Sequence, residues 1–170
     1  MKMLALALFL LTSLCPLPLR ADSAELSVVS QRLIAGTVPL ITTTELAKII
    51  ASDEDILLLD TREKKEYEVS HLPGALWVGF EDFKLERVEK ISPTARIVVY
   101  CSVGYRSEKI GEKLKQAGFQ KVENLFSGLF AWANEGRPLI EKQGEVTRAV
   151  HGFDAEWSRL LAPKVKMVLE

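Results

Sequence analysis

Apolar runs and amphipathic segments alternate along the middle of this 170-residue chain. Ile56–Asp60 and Arg96–Tyr100 are short, almost continuously apolar runs, a pattern typical of strands covered on both faces. Tyr105–Gln116 carries apolar residues one helical turn apart, among charged residues such as Glu108 that are expected to face solvent. Strands that alternate with helices predict an α/β sandwich with a mostly parallel sheet.

Weaker patterns predict the remaining elements of this alternation. Thr42 stands three residues before Glu45, the spacing of a capping box, and marks the start of a helix. The turn at Pro73-Gly74 precedes a short strand. The further predicted elements are helices over Glu45–Ala51, Glu63–Glu68, Glu81–Val88 and Gly128–Asn134, and strands over Ala75–Val78 and Lys121–Leu125.

Residues 1–23 have the pattern of a secretory signal peptide. Lys2 precedes the apolar run Leu4–Leu14, and small residues follow near a predicted cleavage point at residues 21–24. The run is shorter than the roughly 20 residues of a membrane-spanning helix, so no stable membrane span is expected after cleavage. The expected location is periplasmic or secreted; the alternative is a membrane anchor formed by an uncleaved signal.

The rest of the chain, about 150 residues, has the size of a single domain. Residues 41–140 form the predicted domain, and residues 24–40 are expected to pack on it. Residues 141–170 form a C-terminal extension, in which Asp154 caps a predicted amphipathic helix. The apolar face of this helix consists of Phe153, Trp157, Leu160 and Leu161. The extension is expected to dock on the core; the alternatives are a partner-binding surface and a partial cover over Cys101.

Charge and the cysteine and histidine content exclude several classes of function. The formal net charge is −1 and both signs are evenly scattered, so nucleic-acid binding is not expected. The two histidines, His71 and His151, lie far apart in sequence and no C-x-x-C pair is present, so no metal site is expected. Cys15 lies in the predicted signal peptide, which leaves Cys101 as a single thiol without a disulfide partner.

Cys101 stands between the predicted strand Arg96–Tyr100 and the predicted helix that begins at Tyr105. In so short a turn, Gly104 allows main-chain N–H groups to point inward, and the helix N-terminus adds partial positive charge. Arg106 adds a full charge, so the environment favours a thiolate. Cys101 is therefore a candidate nucleophile; the alternative is a small buried apolar residue at a strand end.

Two charged residues follow the neighbouring predicted strand. Asp60 ends that strand, and Arg62 comes two residues later. Ligands of such sheets bind beyond the carboxyl ends of strands, where both Asp60 and Cys101 lie. The pair is expected to be a structural ion pair, with support of the Cys101 loop as the alternative. Tyr105 is a candidate for contact with substrate or for the wall of the pocket.

Four stretches of the chain together resemble the single-domain rhodaneses, a family of sulfurtransferases. Two positions depart from the family pattern: Ser70 and Ser127 each stand where glycine is usual. The stretches are Asp60-Thr61-Arg62 with Glu66–Ala75, Tyr100–Ser107 with its C-x-x-G-x-R-S pattern, Ala117-Gly118-Phe119 with Val122, and Leu125–Trp132 with Gly136 and Pro138.

The resemblance implies a three-layer α/β/α sandwich and a sulfurtransferase activity without a cofactor. In such enzymes a cysteine, here Cys101, takes a sulfane sulfur from thiosulfate, a persulfide or a polysulfide and holds it as a covalent persulfide. A thiol or cyanide then accepts the sulfur, and a sulfur-relay protein is a further expected partner. The loop that would hold the terminal sulfur consists of Ser102, Val103, Gly104, Tyr105 and Arg106. Arg106 is expected either to bind an anionic donor or to fix the loop through a salt bridge.

Two other functions remain open at this point. A persulfide carrier without enzymatic turnover needs the same cysteine and the same loop. Cysteine phosphatases and arsenate reductases resemble C-x5-R, a loop one residue longer than the one between Cys101 and Arg106. The shorter loop suits a single sulfur atom better than a tetrahedral oxyanion, so sulfur transfer is the favoured interpretation.

Overall fold

The computed structural model describes residues 23–52 and 54–169, which form an α/β sandwich around a parallel sheet. The predicted signal peptide, including Cys15, lies outside the described residues except for Ser23. The five strands are β1 (Leu40–Ile41), β2 (Leu57–Asp60), β3 (Leu76–Trp77), β4 (Arg96–Tyr100) and β5 (Lys121–Leu125). The strand order is β1-β5-β4-β2-β3, and every neighbouring pair is parallel.

Helices cover both faces of this sheet. They are α1 (Ser23–Leu33), α2 (Thr43–Ala51), α3 (Lys64–Val69), α4 (Tyr105–Gln116), α5 (Gly128–Asn134), α6 (Ala155–Ser158) and the 3₁₀ helix Leu85–Val88. Side chains alternate between the two faces along β4: Val98 and Tyr100 pack with α1, α2 and α5, whereas Ile97 and Val99 pack with α4 and the 3₁₀ helix. The three layers of the predicted α/β/α fold are therefore present.

The predicted helix over Glu81–Val88 is wrong in length, because only the 3₁₀ helix Leu85–Val88 forms there. The Arg87 guanidinium donates hydrogen bonds to the carbonyl oxygen of Val78 at 2.6 Å and to the Asp82 carboxylate at 2.6 Å. It also lies over the Trp77 ring, 4.4 Å from the ring centroid. These contacts tie the segment back onto the end of β3 instead of letting a helix extend away from it.

The N-terminal segment packs on the domain through α1 and through residues 35–37, which bond the Glu108 side chain. The prediction that Glu108 faces solvent is therefore wrong. Leu26 of α1 is buried in the core with α2 and α5. The Glu108 side chain is also buried, and its carboxylate accepts hydrogen bonds from the N–H groups of Ala35, Gly36 and Thr37 at 2.7 to 3.1 Å. A long-range contact with main-chain donors thus places a charged side chain in the interior.

The C-terminal extension docks on the core, but its predicted amphipathic helix is a single turn. Asp154 does cap this turn, α6, by accepting hydrogen bonds from the N–H groups of Glu156 and Trp157. After this turn, the Asn134 side-chain amide donates to the carbonyl oxygen of Leu160 and accepts from the N–H of Ala162. In a longer helix these main-chain groups would form hydrogen bonds within the helix. The remaining strands are β6 (Leu139–Ile140), β7 (Val146–Thr147), β8 (Ala149–His151) and β9 (Lys166–Val168).

The helices of the described residues are short. The longest, α4, has 12 residues. None of the helices in residues 23–52 and 54–169 has the length and apolar character needed to cross a membrane.

Candidate active site

Cys101 follows β4 directly, at the carboxyl edge of the sheet, and lies 1% exposed. The N–H of Gly104 donates a hydrogen bond to its Sγ at 3.1 Å. Gly104 is the N-cap of α4 and has a φ of +106°, and a Cβ there would lie 2.7 Å from Cδ1 of Ile34. Glycine at this position therefore allows both the left-handed turn and the close packing that aim an N–H at the thiol. Among the described residues one main-chain N–H bonds Sγ, fewer than the several that the sequence predicts, and the Arg106 guanidinium also interacts with the Cys101 side chain.

The N-terminus of α5 holds the carbonyl groups of the Cys101 loop. The N–H of Leu129 donates to the carbonyl oxygen of Cys101 at 2.8 Å, and the N–H of Phe130 donates to that of Ser102 at 3.0 Å. These are first-turn N–H groups that have no partner within their own helix. The loop is thus fixed between two helix N-termini, α4 and α5, with its carbonyl groups turned toward α5.

Gly128 makes this close approach possible. Its φ is +53°, and a Cβ on it would lie 2.3 Å from the carbonyl oxygen of Cys101 and 2.7 Å from that of Ser102. No real Cβ tolerates such distances to main-chain atoms, so residue 128 must be glycine if the loop is to keep its position.

Ser127, which stands where the family pattern has glycine, adopts a left-handed conformation with a φ of +57°. Its side chain is buried, and its Oγ has no hydrogen-bond partner within the described part of the chain. The backbone therefore keeps the conformation that glycine adopts easily, and the serine is held there under strain.

We expect Ser127→Gly to stabilise the protein by about 1 kcal/mol. The change removes the strain of a left-handed serine and a buried hydroxyl without a partner, and the greater conformational entropy of glycine in the unfolded chain offsets part of this gain. Urea unfolding followed by circular dichroism measures the change. Ser127→Ala is the control, since it removes the hydroxyl but keeps the strained Cβ. Equal stability of the two variants would contradict the role of backbone strain.

Arg106 makes the salt bridge that fixes the loop. Its Nη1 and Nη2 donate to the two carboxylate oxygens of Glu66 at 2.6 and 2.8 Å. Nη2 also donates to Oγ of Ser102 at 3.2 Å, and that hydroxyl lies 3.2 Å from Glu66. The expected salt bridge is therefore present, and Arg106 also lines the cavity at Cys101, so binding of an anionic donor stays a prediction.

Glu66 is a site residue that the sequence interpretation did not single out. It lies in the stretch that resembles the family, fully buried on α3. Burial opposes its ionisation, but hydrogen bonds and charge from Arg106 and the charge of Arg62 outweigh this and hold the pKa of Glu66 below its usual value. Burial likewise opposes the charge of Arg106, yet Glu66 and Cys101 raise the pKa of Arg106. Both groups are charged at neutral pH.

Asp60 and Arg62 form a fully buried ion pair at the end of β2. The Arg62 side chain donates to both Asp60 oxygens and to the carbonyl oxygen of Ser70 at 2.6 Å, which ties β2 to the end of α3. Neither side chain lines the cavity at Cys101. The link from β2 to the loop is instead Thr61, whose N–H and Oγ1 both donate to the carbonyl oxygen of Tyr100.

A cavity of about 590 Å³ opens above Cys101. Tyr105, 44% exposed, stands in its wall, as one of its two expected roles requires. The C-terminal extension supplies Phe153 and Trp157, so it covers part of the mouth as well as docking on the core. The lining residues are Leu33, Glu63, Phe80, Glu81, Cys101, Ser102, Val103, Tyr105, Arg106, Phe153 and Trp157. The buried thiol is therefore reached through an open and largely apolar cavity.

Metal-ligating side chains do not cluster in the described structure. Within residues 23–52 and 54–169, no three histidine, cysteine, aspartate or glutamate side chains are grouped so that they can hold a metal ion.

Two curated proteins are similar to more than half of this chain. A sulfurtransferase from Allochromatium vinosum is 33% identical over 99 residues, which cover 58% of this chain and 92% of that protein. A candidate sulfur carrier protein, YrkF, from Bacillus subtilis is 31% identical over 101 residues, which cover 59% of this chain and 54% of that protein. The chain thus spans about half the length of YrkF.

Solved structures share the fold. The rhodanese-like domain of the Alr3790 protein from Anabaena has a TM-score of 0.57 and 25% identity, covering 61% of this chain and 79% of that one. A thiosulfate sulfurtransferase from Pseudomonas aeruginosa has a TM-score of 0.59 and 23% identity. The match covers 72% of this chain and 25% of that one, and it shows a common fold only. A family model described as Rhodanese-like domain matches residues 42–135, which include Cys101 and its loop. The chain therefore belongs to the rhodanese-like domain family.

Proposed function

We propose that the protein is a sulfurtransferase in which Cys101 accepts a sulfane sulfur from a donor and passes it to a thiol or to cyanide. The observation that carries the proposal is the position of Cys101 Sγ, on the floor of an open cavity, at the N-terminus of α4 and bonded by the Gly104 N–H. Such a position stabilises the thiolate and leaves one side of it reachable for a donor.

The proposed reaction has two displacement steps at sulfur. In the first, the Cys101 thiolate attacks the outer sulfur of the donor, the donor bond to that sulfur breaks, and the leaving group departs with the electron pair. Sulfite leaves from thiosulfate, and a thiolate leaves from a persulfide. In the second, the acceptor attacks the terminal sulfur of the Cys101 persulfide, and Cys101 leaves as a thiolate. The Gly104 N–H stabilises negative charge on the Cys101 sulfur in both steps.

Arg106 acts as a positioning residue in this scheme. Both of its terminal nitrogens bond Glu66, so the guanidinium fixes the loop. The loop has four residues between cysteine and arginine, one fewer than the C-x5-R loop of cysteine phosphatases. The shorter loop favours sulfur transfer over phosphate or arsenate chemistry.

Intact-mass measurement tests the proposal. After incubation with thiosulfate, a persulfide or a polysulfide, the protein is expected to gain the mass of a sulfur atom and to lose it, as thiocyanate, when cyanide is added. Cys101→Ser, a substitution of similar size, is expected to gain no sulfur. The proposal fails if no donor loads the protein or if Cys101→Ser is loaded equally.

A sulfur carrier is the second candidate function, supported by the likeness to YrkF. The same protein would then hold a persulfide and release it once, without catalytic turnover. Thiocyanate formed over many equivalents of protein indicates an enzyme, whereas a single equivalent indicates a carrier.

We further propose that the protein is exported to the periplasm or secreted, on the signal-peptide pattern of residues 1–23. Cell fractionation, together with N-terminal sequencing of the recovered protein, tests this location and the predicted cleavage at residues 21–24. Recovery of uncleaved protein in the membrane fraction would instead indicate an anchor.

A further inference from the structure

Several apolar walls of the Cys101 cavity come from residues outside the stretch that matches the family. That stretch covers residues 42–135. Leu33 reaches the cavity from the end of α1, and Phe153 and Trp157 reach it from the C-terminal extension. The family domain thus supplies the thiol and its loop, while the flanking segments shape the space in which a substrate must fit.

The backbone holds Phe153 at the cavity under strain. Its φ of +70° is uncommon for a bulky residue, and its side chain is still 49% exposed. The N–H of Phe153 donates to Nδ1 of the buried His151, Asp154 caps α6 directly after it, and its ring lies 5.4 Å from the Arg106 guanidinium carbon. Strain that keeps an aromatic ring exposed beside a reactive thiol points to a role in binding.

The charges around the cavity disfavour a dianion. Arg106 is the cation among the lining residues, and Glu66 neutralises it through two hydrogen bonds. Glu63 and Glu81 add two carboxylates to the lining. The described lining of the cavity, together with the partner of its one cation, therefore carries more negative than positive charge, which disfavours a doubly charged donor such as thiosulfate.

The size and lining of the cavity suit a larger and less charged molecule. Its volume of about 590 Å³ falls in the range of pockets that bind organic ligands, whereas thiosulfate has only a few atoms. Phe80, Val103, Phe153 and Trp157 offer apolar and aromatic surface next to the thiol. Burial of an aromatic or aliphatic group against these side chains is favourable.

We propose that Phe153 and Trp157 are specificity-determining residues that select an organic, apolar carrier of sulfane sulfur over inorganic thiosulfate. The inference rests on the proposed sulfurtransferase function. With an organic thiosulfonate, the Cys101 thiolate forms a bond to the outer sulfur, the S–S bond of the donor breaks, and a sulfinate leaves with the electron pair. With an organic persulfide, the leaving group is a thiolate.

Steady-state kinetics with cyanide as acceptor and two donors, benzenethiosulfonate and thiosulfate, test the inference. The wild type is expected to prefer benzenethiosulfonate by at least about tenfold in kcat/KM, the ratio expected from burial of an aromatic ring. Phe153→Ala and Trp157→Ala are each expected to lower kcat/KM for benzenethiosulfonate by about tenfold, mainly through KM, and that for thiosulfate by less than about twofold. Val146→Ala, on an exposed residue of the same extension, is the control and should change neither.

A charge variant provides a second test that does not depend on how the extension folds. Glu81→Lys adds a cation at an exposed position of the cavity rim and is expected to raise kcat/KM for thiosulfate more than for the singly charged benzenethiosulfonate. Glu86→Lys makes the same change at an exposed residue that does not line the cavity. Equal responses to Glu81→Lys and Glu86→Lys would overturn the argument from charge.

The outcomes separate this inference from the proposed function. If both donors load Cys101 but the wild type has the higher kcat/KM for thiosulfate, the inference is wrong and the proposed function stands. The same conclusion follows if Phe153→Ala and Trp157→Ala lower kcat/KM equally for the two donors. If neither donor, nor a polysulfide, loads Cys101 in the intact-mass measurement, the proposed function fails and the inference fails with it.

Discussion

Glu66→Gln is expected to destabilise the protein by about 3 kcal/mol, the lower end of the range for breaking a buried ion pair, because Arg106 keeps some contact with solvent. The change leaves the guanidinium without its charged partner and weakens the link from α3 to the Cys101 loop. Sulfur loading of Cys101 is expected to slow by about tenfold, since small displacements of a reacting group reduce rates strongly.

The pH dependence of this effect follows from the lowered pKa of Glu66. In the unfolded chain a glutamate titrates near pH 4.3, whereas in the folded protein it stays ionised to lower pH. The stabilisation is therefore fully present above about pH 4.3 and is lost as the pH falls through the lower, folded-state pKa. Urea unfolding of wild type and Glu66→Gln should show a large difference at pH 7 that narrows below about pH 4.

A double-mutant cycle controls this prediction. Arg106→Gln alone leaves Glu66 buried without its partner, and the double variant leaves no unpaired charge. The double variant is therefore expected to lose less stability than the sum of the two single changes. Additive losses would show that Glu66 and Arg106 do not act as a pair, and a stability difference that does not depend on pH would contradict the ionised state of Glu66.

Gly128→Ala is expected to destabilise the protein by about 3 kcal/mol, from a strained left-handed alanine and from overpacking against the loop. The new Cβ would lie 2.3 Å from the carbonyl oxygen of Cys101 and 2.7 Å from that of Ser102, and main-chain atoms cannot move aside as a flexible side chain can. The loop must shift, so sulfur loading is expected to fall by at least about tenfold. Urea unfolding and the rate of mass gain measure the two effects.

Gly118→Ala is the matched control for this second prediction. Gly118 also has a positive φ, +98°, but a Cβ there meets no atom within 4 Å. Gly118→Ala is expected to lower the free energy of unfolding by about 1 kcal/mol, from backbone strain alone, and to leave the rate of sulfur loading unchanged. If Gly128→Ala behaves like Gly118→Ala in both measurements, the close contact of α5 with the loop does not position Cys101.

Local patterns in the sequence were sufficient for most of the sheet and its helices. The predicted bounds of β4, α4, β5 and α5 agree with the structure. β4 and α5 are almost continuously apolar, α4 has a clear helical spacing, and glycine lies just after both helices. The capping box of Thr42 and Glu45 also forms, because both partners lie within a single helical turn. Strand and helix bounds and helix caps of this kind depend on residues that are close together in the sequence, so the sequence alone is enough to predict them.

The sequence failed where a charged side chain is held by partners outside its own helix. Glu108 reads as a solvent-facing helix residue until Ala35, Gly36 and Thr37 bring three N–H groups to it from more than 70 residues away. The helix predicted over Glu81–Val88 is shortened because Arg87 turns back to the end of β3. In both cases hydrogen-bond partners on another segment fix the position of a charged side chain, and the spacing of residues within its own segment does not reveal those partners.

The candidate site divides in the same way. The sequence by itself determined the strand, the tight turn and the helix that place Cys101 at a helix N-terminus, because these depend on residue type and spacing over a few positions. Only the tertiary structure decided that Arg106 is bound by Glu66 and that Phe153 and Trp157 line the cavity. Those contacts join segments about 40 to 120 residues apart, and which segments meet is set by the packing of the whole core.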